Sequence, residues 1–228
     1  MNTHETAFEE NVGAHFSADA MLEARARTRR AIAAIAAQIE PGMVEEDAVA
    51  RAKATLAASD MALSWHPVRV RFGINTTRAM KQASQPGVVL GRDDIFFIDI
   101  APRHGFCEGD GGATFTVGSD AKRERCARDA ETLFHATREV WQRERISGRE
   151  LYTYAATTAR SMGWDLNADL PGHRLSDFPH AALHTGSLAE FGRVPAPLRW
   201  VLEIHLLDPA RRFGAFFEDL LLDAADYS

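Results

Sequence analysis

Cysteine is scarce in this chain, and so are long apolar runs. Its two thiols, Cys107 and Cys126, are too few for a disulfide framework and are not spaced as a zinc pair. They read as reduced thiols of a cytosolic (cytoplasmic) protein. No stretch approaches the roughly 18 apolar residues that a membrane span requires. The first twenty residues carry Glu5, Glu9, Glu10 and Asp19 and no apolar core, so they do not read as a signal peptide. Basic residues are outnumbered, 26 against 32 acidic, for a net charge of -6. That balance argues against a nucleic-acid backbone as the main partner. The remainder is ordinary: 46% hydrophobic and 25% charged over 228 residues is the make-up of a folded chain. A chain of this length can bury roughly 70% of the surface it exposes when unfolded, and needs no staple.

Met1–Phe16 reads as a short, loosely held arm, and residues 17–228 as one domain. Ser17 can cap a helix, Asp19 suits its first turn, and Leu22, Ile32, Ile35 and Ile39 fall near helical spacing before Pro41-Gly42 stops the run. Glu45, Glu46 and Asp47 open a second helix, ending near Ser59, where their charge suits the positive end of the helix dipole. Val68–Phe72, Ile95–Ile98 and Thr114–Val117 then read as strands separated by Gly and Pro. The order repeats. Ala121–Glu144 is a long amphipathic helix, Ser147 and Glu150 form a capping box for a helix running to about Met162, and Trp200–Leu207 and Gly214–Leu222 are strand-like. Two similar halves of this kind predict an α+β fold, with one curved sheet covered by four helices.

Carboxylates on apolar strands carry the chemistry. Asp99 follows Ile95–Ile98 directly, Asp110 stands before the next strand, and a hairpin through Ile100–Gly109 would set the two across from each other. Each alone also suits a strand-end turn cap. Together, two buried carboxylates need a cation, a shared proton or an Arg. Glu203 and Glu218 interrupt apolar strands in the second half, and His173 lies between the two pairs. Four carboxylates and one imidazole suit two divalent ions such as Mn, Co, Zn or Fe(II). Such a pair lowers the pKa of a bridging water and clamps a hydrolytic displacement.

The ordered series Asp99, Asp110, His173, Glu203 and Glu218 resembles the ligand series of the pita-bread metallopeptidases, the methionine aminopeptidase, aminopeptidase P and prolidase family. The surrounding sequences agree: Phe97-Ile98-Asp99-Ile100, Gly109-Asp110, Thr114–Gly118, Gly172-His173, Leu202-Glu203 and Phe217–Leu220. Ile39–Asp47 is also similar to the family's first helix pair, and the resemblance runs from about Ala20 to the C-terminus. It implies that Asp99 and Asp110 chelate one ion and that Asp110 and His173 hold the second. Glu203 and Glu218 would bridge or flank, Glu203 would take the proton of the attacking water, and His180 would hold the substrate carbonyl and its oxyanion. An ordinary loop histidine is the alternative for His180, and His184 reads as structural.

The chain also departs from the family. A further pocket histidine is missing from Gly73–Lys81, and His66, ahead of Asn75, lies on the wrong side to replace it. Arg174 stands where the family has glycine and, if it faces the cavity, favours a substrate carboxylate. Glu203-Ile204-His205 stands where the family has Glu-Pro; on a strand His205 shares the face of Glu203, and it either enters the pocket or donates to a carboxylate behind the ligands. Lys81 is a third candidate substrate contact. The expected activity is metal-dependent hydrolysis of a peptide or amide bond of a small substrate, of the aminopeptidase or Xaa-Pro dipeptidase kind. A family member acting on a non-peptide metabolite, a non-catalytic binding protein and an interaction module built on helix 21–39 are the alternatives. A monomer and a homodimer both stay open, and neither a nucleic acid nor a membrane is expected as partner.

Overall fold

Ser17 starts the first helix as its sequence position suggests: its hydroxyl accepts from the Ala20 amide at 3.2 Å. The computed structural model describes residues 10–79, 81–179, 186–223 and 226. In it α1 spans Ala18–Ala36 and α2 Glu45–Ala58; β1 (Arg69–Phe72) leads through a 3-10 turn at Gly73–Thr77 to β2 (Asp94–Ile100). A small hairpin, β3 (Arg103–His104) with β4 (Cys107–Glu108), interrupts the connection to β5 (Gly111–Val117). The second half follows the same plan: α3 (Ala121–Glu144), α4 (Gly148–Ser161), then the short β6 (Asp165–Leu166) and β7 (His173–Arg174), then β8 (Trp200–Leu207) and β9 (Gly214–Leu220). Both arms of the Ser147–Glu150 capping box form at the start of α4.

One antiparallel sheet joins the halves in the order β1-β2-β5-β9-β8-β6, with β7 also on β8. The halves meet at β5 and β9, where Gly112 pairs with Glu218. Thr114 reinforces this seam, its hydroxyl accepting from the Phe216 amide at 2.7 Å and donating to the Phe216 carbonyl at 2.8 Å. Gly112 is required by close approach: a Cβ there would lie 2.3 Å from the Phe216 ring.

The period of two along the strands separates the faces. Trp200, Leu202, Ile204 and Leu206 of β8 pack with Phe134, Trp141 and Leu151 of α3 and α4. Phe96, Ile98 and Ile100 of β2 pack with Ile32, Ile35 and Leu56 of α1 and α2. Burying each such side chain contributes about 1.5–3 kcal/mol, so helix-covered apolar faces hold the sheet in place. The intervening residues, Phe97, Asp99, Glu203, His205, Phe216 and Glu218, are left for the opposite face.

The described part of the expected loose arm is tied down instead. Glu10 accepts from the Trp200 indole at 2.6 Å and the Ala196 amide at 2.7 Å, while Asp177 accepts from the Gly13 and His15 amides at 2.7 and 3.1 Å. Cys107 and Cys126 are buried and form no disulfide, and burial pushes the Cys126 thiol up to about 12. Among the described residues no helix is long and apolar enough to cross a membrane.

Candidate metal centre

Sheet register lines up the acidic residues. Arg69 pairs with Asp99, Asp99 with Gly112, Gly112 with Glu218 and Glu218 with Glu203, one row across five strands. Directly paired residues share a face, so Asp99, Glu218 and Glu203 project together. The row corrects one expectation: the residue opposite Asp99 is Gly112, not Asp110. Asp110 precedes β5 by one residue and reaches the same space from the strand's end.

His173, on β7, brings its Nε2 to 3.1 Å from Asp110 Oδ2, 3.5 Å from Glu203 Oε1 and 3.7 Å from Glu218 Oε1. Its Nδ1 lies 2.7 Å from the Arg174 carbonyl. A carbonyl only accepts, so Nδ1 carries a proton, and Nε2 is the nitrogen turned toward the carboxylates. The structure therefore brings the buried carboxylates Asp99, Asp110, Glu203 and Glu218 together with the half-buried His173 in one cluster.

One further residue of this cluster is absent from the expected ligand series. His66, in the segment between α2 and β1, sets its Nε2 3.3 Å from Asp99 Oδ1 and 3.4 Å from Asp110 Oδ1. Trp65 stands edge-on to both imidazoles, its ring 4.7 Å from that of His66 and 5.0 Å from that of His173. Its approach follows from strand register. β1 and β2 are antiparallel, and Arg69 pairs with Asp99, so residues just before β1 must run past the Asp99 end of β2.

Burial shapes the electrostatics. It pushes Glu203 up to about 7 against the pull of His173, with Asp110 and Asp99 adding to the rise. Asp99 is raised to about 6 by burial, which outweighs the nearby His66 charge. Glu218 goes well above the carboxylate range, by burial and then by Asp110 and Glu203. Burial opposes ionisation of Asp110 too, but hydrogen bonds with His173 and His66 hold it down at about 2. For His66 burial opposes protonation, yet Asp99 and Asp110 lift it to about 9.

This donor set fits divalent cations. Among the described residues Glu218 Oε2 is buried with no hydrogen-bond partner, while Asp99 Oδ1 and Asp110 Oδ2 each meet an imidazole nitrogen, at 3.3 and 3.1 Å; buried carboxylate oxygens this crowded are costly unless a cation meets them. Two triads have ligand atoms within 4.8 Å of one another, His66 with Asp99 and Asp110, and Asp110 with His173 and Glu218. Asp110 belongs to both. Hard oxygens with imidazole nitrogen match Mn, Fe(II), Co and Zn.

The family model described as "Metallopeptidase family M24" matches residues 19–222. The chain belongs to this family. Its members depend on two metal ions. The fold is the pita-bread arrangement, an antiparallel sheet with four helices. The X-Pro aminopeptidase of Thermotoga maritima superposes with a TM-score of 0.70 at 17% identity, over 90% of this chain and 58% of that one. The prolidase of Pyrococcus horikoshii gives 0.73 at 16% identity, over 96% and 62%. The Xaa-Pro dipeptidase of Bacillus anthracis gives 0.71 at 14%, over 97% and 61%. The chain thus spans about three-fifths of the length of these structures. No curated protein matches its sequence.

The other expected site residues lie elsewhere. Arg174 is on the opposite face of β7 from His173: its guanidinium donates to the carbonyls of Arg199 and Asn11 and packs over Trp200, so it does not line the cavity. His205 does share the face of Glu203, but its Nε2 donates to the Thr76 carbonyl at 2.7 Å and its Nδ1 accepts from Asn167 at 3.0 Å. Burial holds it neutral, with a pKa of about 4. It ties β8 to the 3-10 turn rather than reaching a ligand. Lys81 is exposed, on a surface cleft with Lys53, Pro67 and Gln82. Asn75 is committed to Glu45 and Gln85. His180 and His184 lie outside the described residues.

Tyr152 was also missed. From α4 its hydroxyl donates to the Glu203 carbonyl at 3.1 Å and accepts from the Glu203 amide at 3.2 Å. It thereby fixes the backbone from which the Glu203 carboxylate projects.

Proposed function

We propose that this chain hydrolyses a peptide or amide bond of a small substrate at the carboxylate–imidazole centre, in the manner of an aminopeptidase or Xaa-Pro dipeptidase. The observation that carries the reading is Asp110, a buried carboxylate shared by two ligand triads. Asp99, Asp110, His173, Glu203 and Glu218 would hold two divalent ions, Mn, Co, Zn or Fe(II). Ions held there supply Lewis acidity, lowering the pKa of water and polarising the scissile carbonyl. Glu203 accepts the water's proton, its backbone fixed by Tyr152, and later returns it to the leaving amine; a positioned acid–base group of this kind contributes about 10²–10⁴-fold. His180 is the proposed donor to the carbonyl oxygen, a role that rests on its sequence position.

The test joins metal content to turnover. Purified chain should carry or take up divalent metal, and with Mn or Co should cleave at least one of a panel of Xaa-Pro dipeptides, Met-peptides and unrelated amides. Asp110→Ala should abolish both properties. Metal-free protein whose hydrolysis is unchanged by Asp110→Ala would end the proposal. A second reading, action on a non-peptide metabolite, is favoured by Gly73–Thr77, where Asn75 is spent on Glu45 and Gln85. Metal binding without cleavage of any peptide in the panel would select it.

A further inference from the structure

We infer that His66 is itself a metal ligand, so that each half of the centre has its own imidazole. The inference rests on the reading above that this centre holds two divalent ions, and it adds a residue to the expected ligand series.

Three observations carry it. The first is distance. Ligands about 2.1 Å from a tetrahedral ion lie about 3.4 Å from one another. His66 Nε2 is 3.3 Å from Asp99 Oδ1 and 3.4 Å from Asp110 Oδ1, as His173 Nε2 is 3.1 Å from Asp110 Oδ2.

The second is tautomer. His66 Nδ1 lies 2.9 Å from the carbonyl of Pro67, the next residue, just as His173 Nδ1 lies 2.7 Å from the carbonyl of Arg174, its own next residue. Both carbonyls force the proton onto Nδ1 and turn Nε2 toward the shared Asp110. Metal-binding histidines are oriented by this kind of contact at the other nitrogen.

The third is preorganisation. The Trp65 amide donates to the Ala101 carbonyl at 3.2 Å and its indole to the Gly109 carbonyl at 3.3 Å. The Ser64 hydroxyl is 2.6 Å from the His66 carbonyl and 2.9 Å from the Ala101 carbonyl. The segment is thus fastened to the end of β2 just ahead of the histidine, and Arg69 pairs with Asp99 just after it. A side chain that merely covered the site would need no such anchoring, and His66 keeps only 11% side-chain exposure.

The consequence is a near-symmetric centre, imidazole and carboxylates on either side of Asp110. Nitrogen on both sides moves preference toward Fe(II), Co(II) and Zn(II) and away from Mn(II).

Chain labelled with ¹⁵N-histidine, stripped with chelator and titrated with Zn(II), tests this directly. Long-range ¹H–¹⁵N spectra, assigned with His66→Gln and His173→Gln, should show Nε2 of both histidines shifting as two equivalents bind, with Nδ1 protonated throughout. By calorimetry, His66→Gln should weaken one of the two Zn(II) sites about tenfold or more and leave the other. The His173 resonance and circular dichroism report that this variant is folded; should it not fold, the spectrum of the unmodified chain decides alone. If the His173 signal moves and the His66 signal does not, His66 is no ligand and the dimetal reading survives. If neither moves, both fall.

Discussion

Glu218 and Asp219 are neighbours on one strand, both buried and both acidic, and the sheet sends them to opposite fates. Asp219 faces the helices, where Arg25 meets it at 2.6 and 2.7 Å and Arg29 at 3.0 Å. Glu218 faces the other way, toward Asp110, Glu203 and one imidazole, and goes well above the carboxylate range. On the helix-covered face the chain neutralises its own charge. On the other face Arg69 and Arg71 stand beside Asp99 alone, while the neighbours of Glu218 are Asp110, Glu203 and the His173 imidazole. A buried carboxylate becomes evidence for a metal centre when its neighbours are further carboxylates and imidazoles rather than the paired arginines found one residue away.

Changes on the two faces should therefore separate turnover from stability. The largest effect belongs to the open face. Glu203→Gln keeps the shape and removes the proton acceptor, so kcat with Mn or Co should fall about 10²–10⁴-fold while the melting temperature of the metal-free chain holds or rises. Comparable turnover in the variant would mean that the proton goes elsewhere. The helix face should behave in the reverse way. Asp219→Asn strands Arg25 and should cost about 2–3 kcal/mol, short of the 3–5 typical of a fully buried pair because Arg29 is 41% exposed. That corresponds to a drop of roughly 4–12 °C in melting temperature. Glu218→Gln, one residue away, should leave the metal-free melting temperature level or raised. Equal losses from the two substitutions would erase the distinction between the faces.

Legibility in the sequence follows the range of the interactions. Helix ends were readable because caps are local: Ser17 and the Ser147–Glu150 box act within three residues. Three of the cluster carboxylates were readable because Asp99, Glu203 and Glu218 each sit in an apolar strand, and that anomaly needs no partner to be seen. What depended on long-range register was not. The pairing of Asp99 with Gly112, and the resulting approach of His66, are set by how β1, β2 and β5 align. β7 has two residues, too few to show a period, so the outward turn of Arg174 left no trace. The anchoring of residues 10–16 rests on Trp200 and Asp177, more than 160 positions away.

A smaller effect concerns pH. A group raised in the fold contributes stability that is complete below its unfolded pKa and lost as pH climbs through the folded one. His66, lifted to about 9 against an ordinary 6.5, loses its contribution across that window. Glu203, lifted to about 7 from 4.5, favours its proton in the fold and gives the same sign at lower pH. Metal binding demands the deprotonated forms. The gap in melting temperature between metal-loaded and chelated protein should thus widen as pH rises from about 5 to 8. Calorimetric scans at fixed free metal measure it, and a gap constant with pH would show that these groups are not the ligands.

The smallest predicted effect joins the faces. Tyr152 belongs to the helix-covered core, yet its hydroxyl serves both backbone groups of Glu203. Tyr152→Phe keeps the ring and removes those two bonds, a loss of about 1–3 kcal/mol for buried groups left unpaired. If the hydroxyl only steadies the fold, the loss will appear in denaturant titration and kcat will be unchanged once the protein is saturated with metal. If it aims the carboxylate, kcat will fall several-fold at constant KM, and Glu203→Gln will remove that sensitivity because there is no longer a base to aim. The double variant separates the two cases, and the structure favours aiming: both bonds converge on the residue whose side chain crosses to the open face.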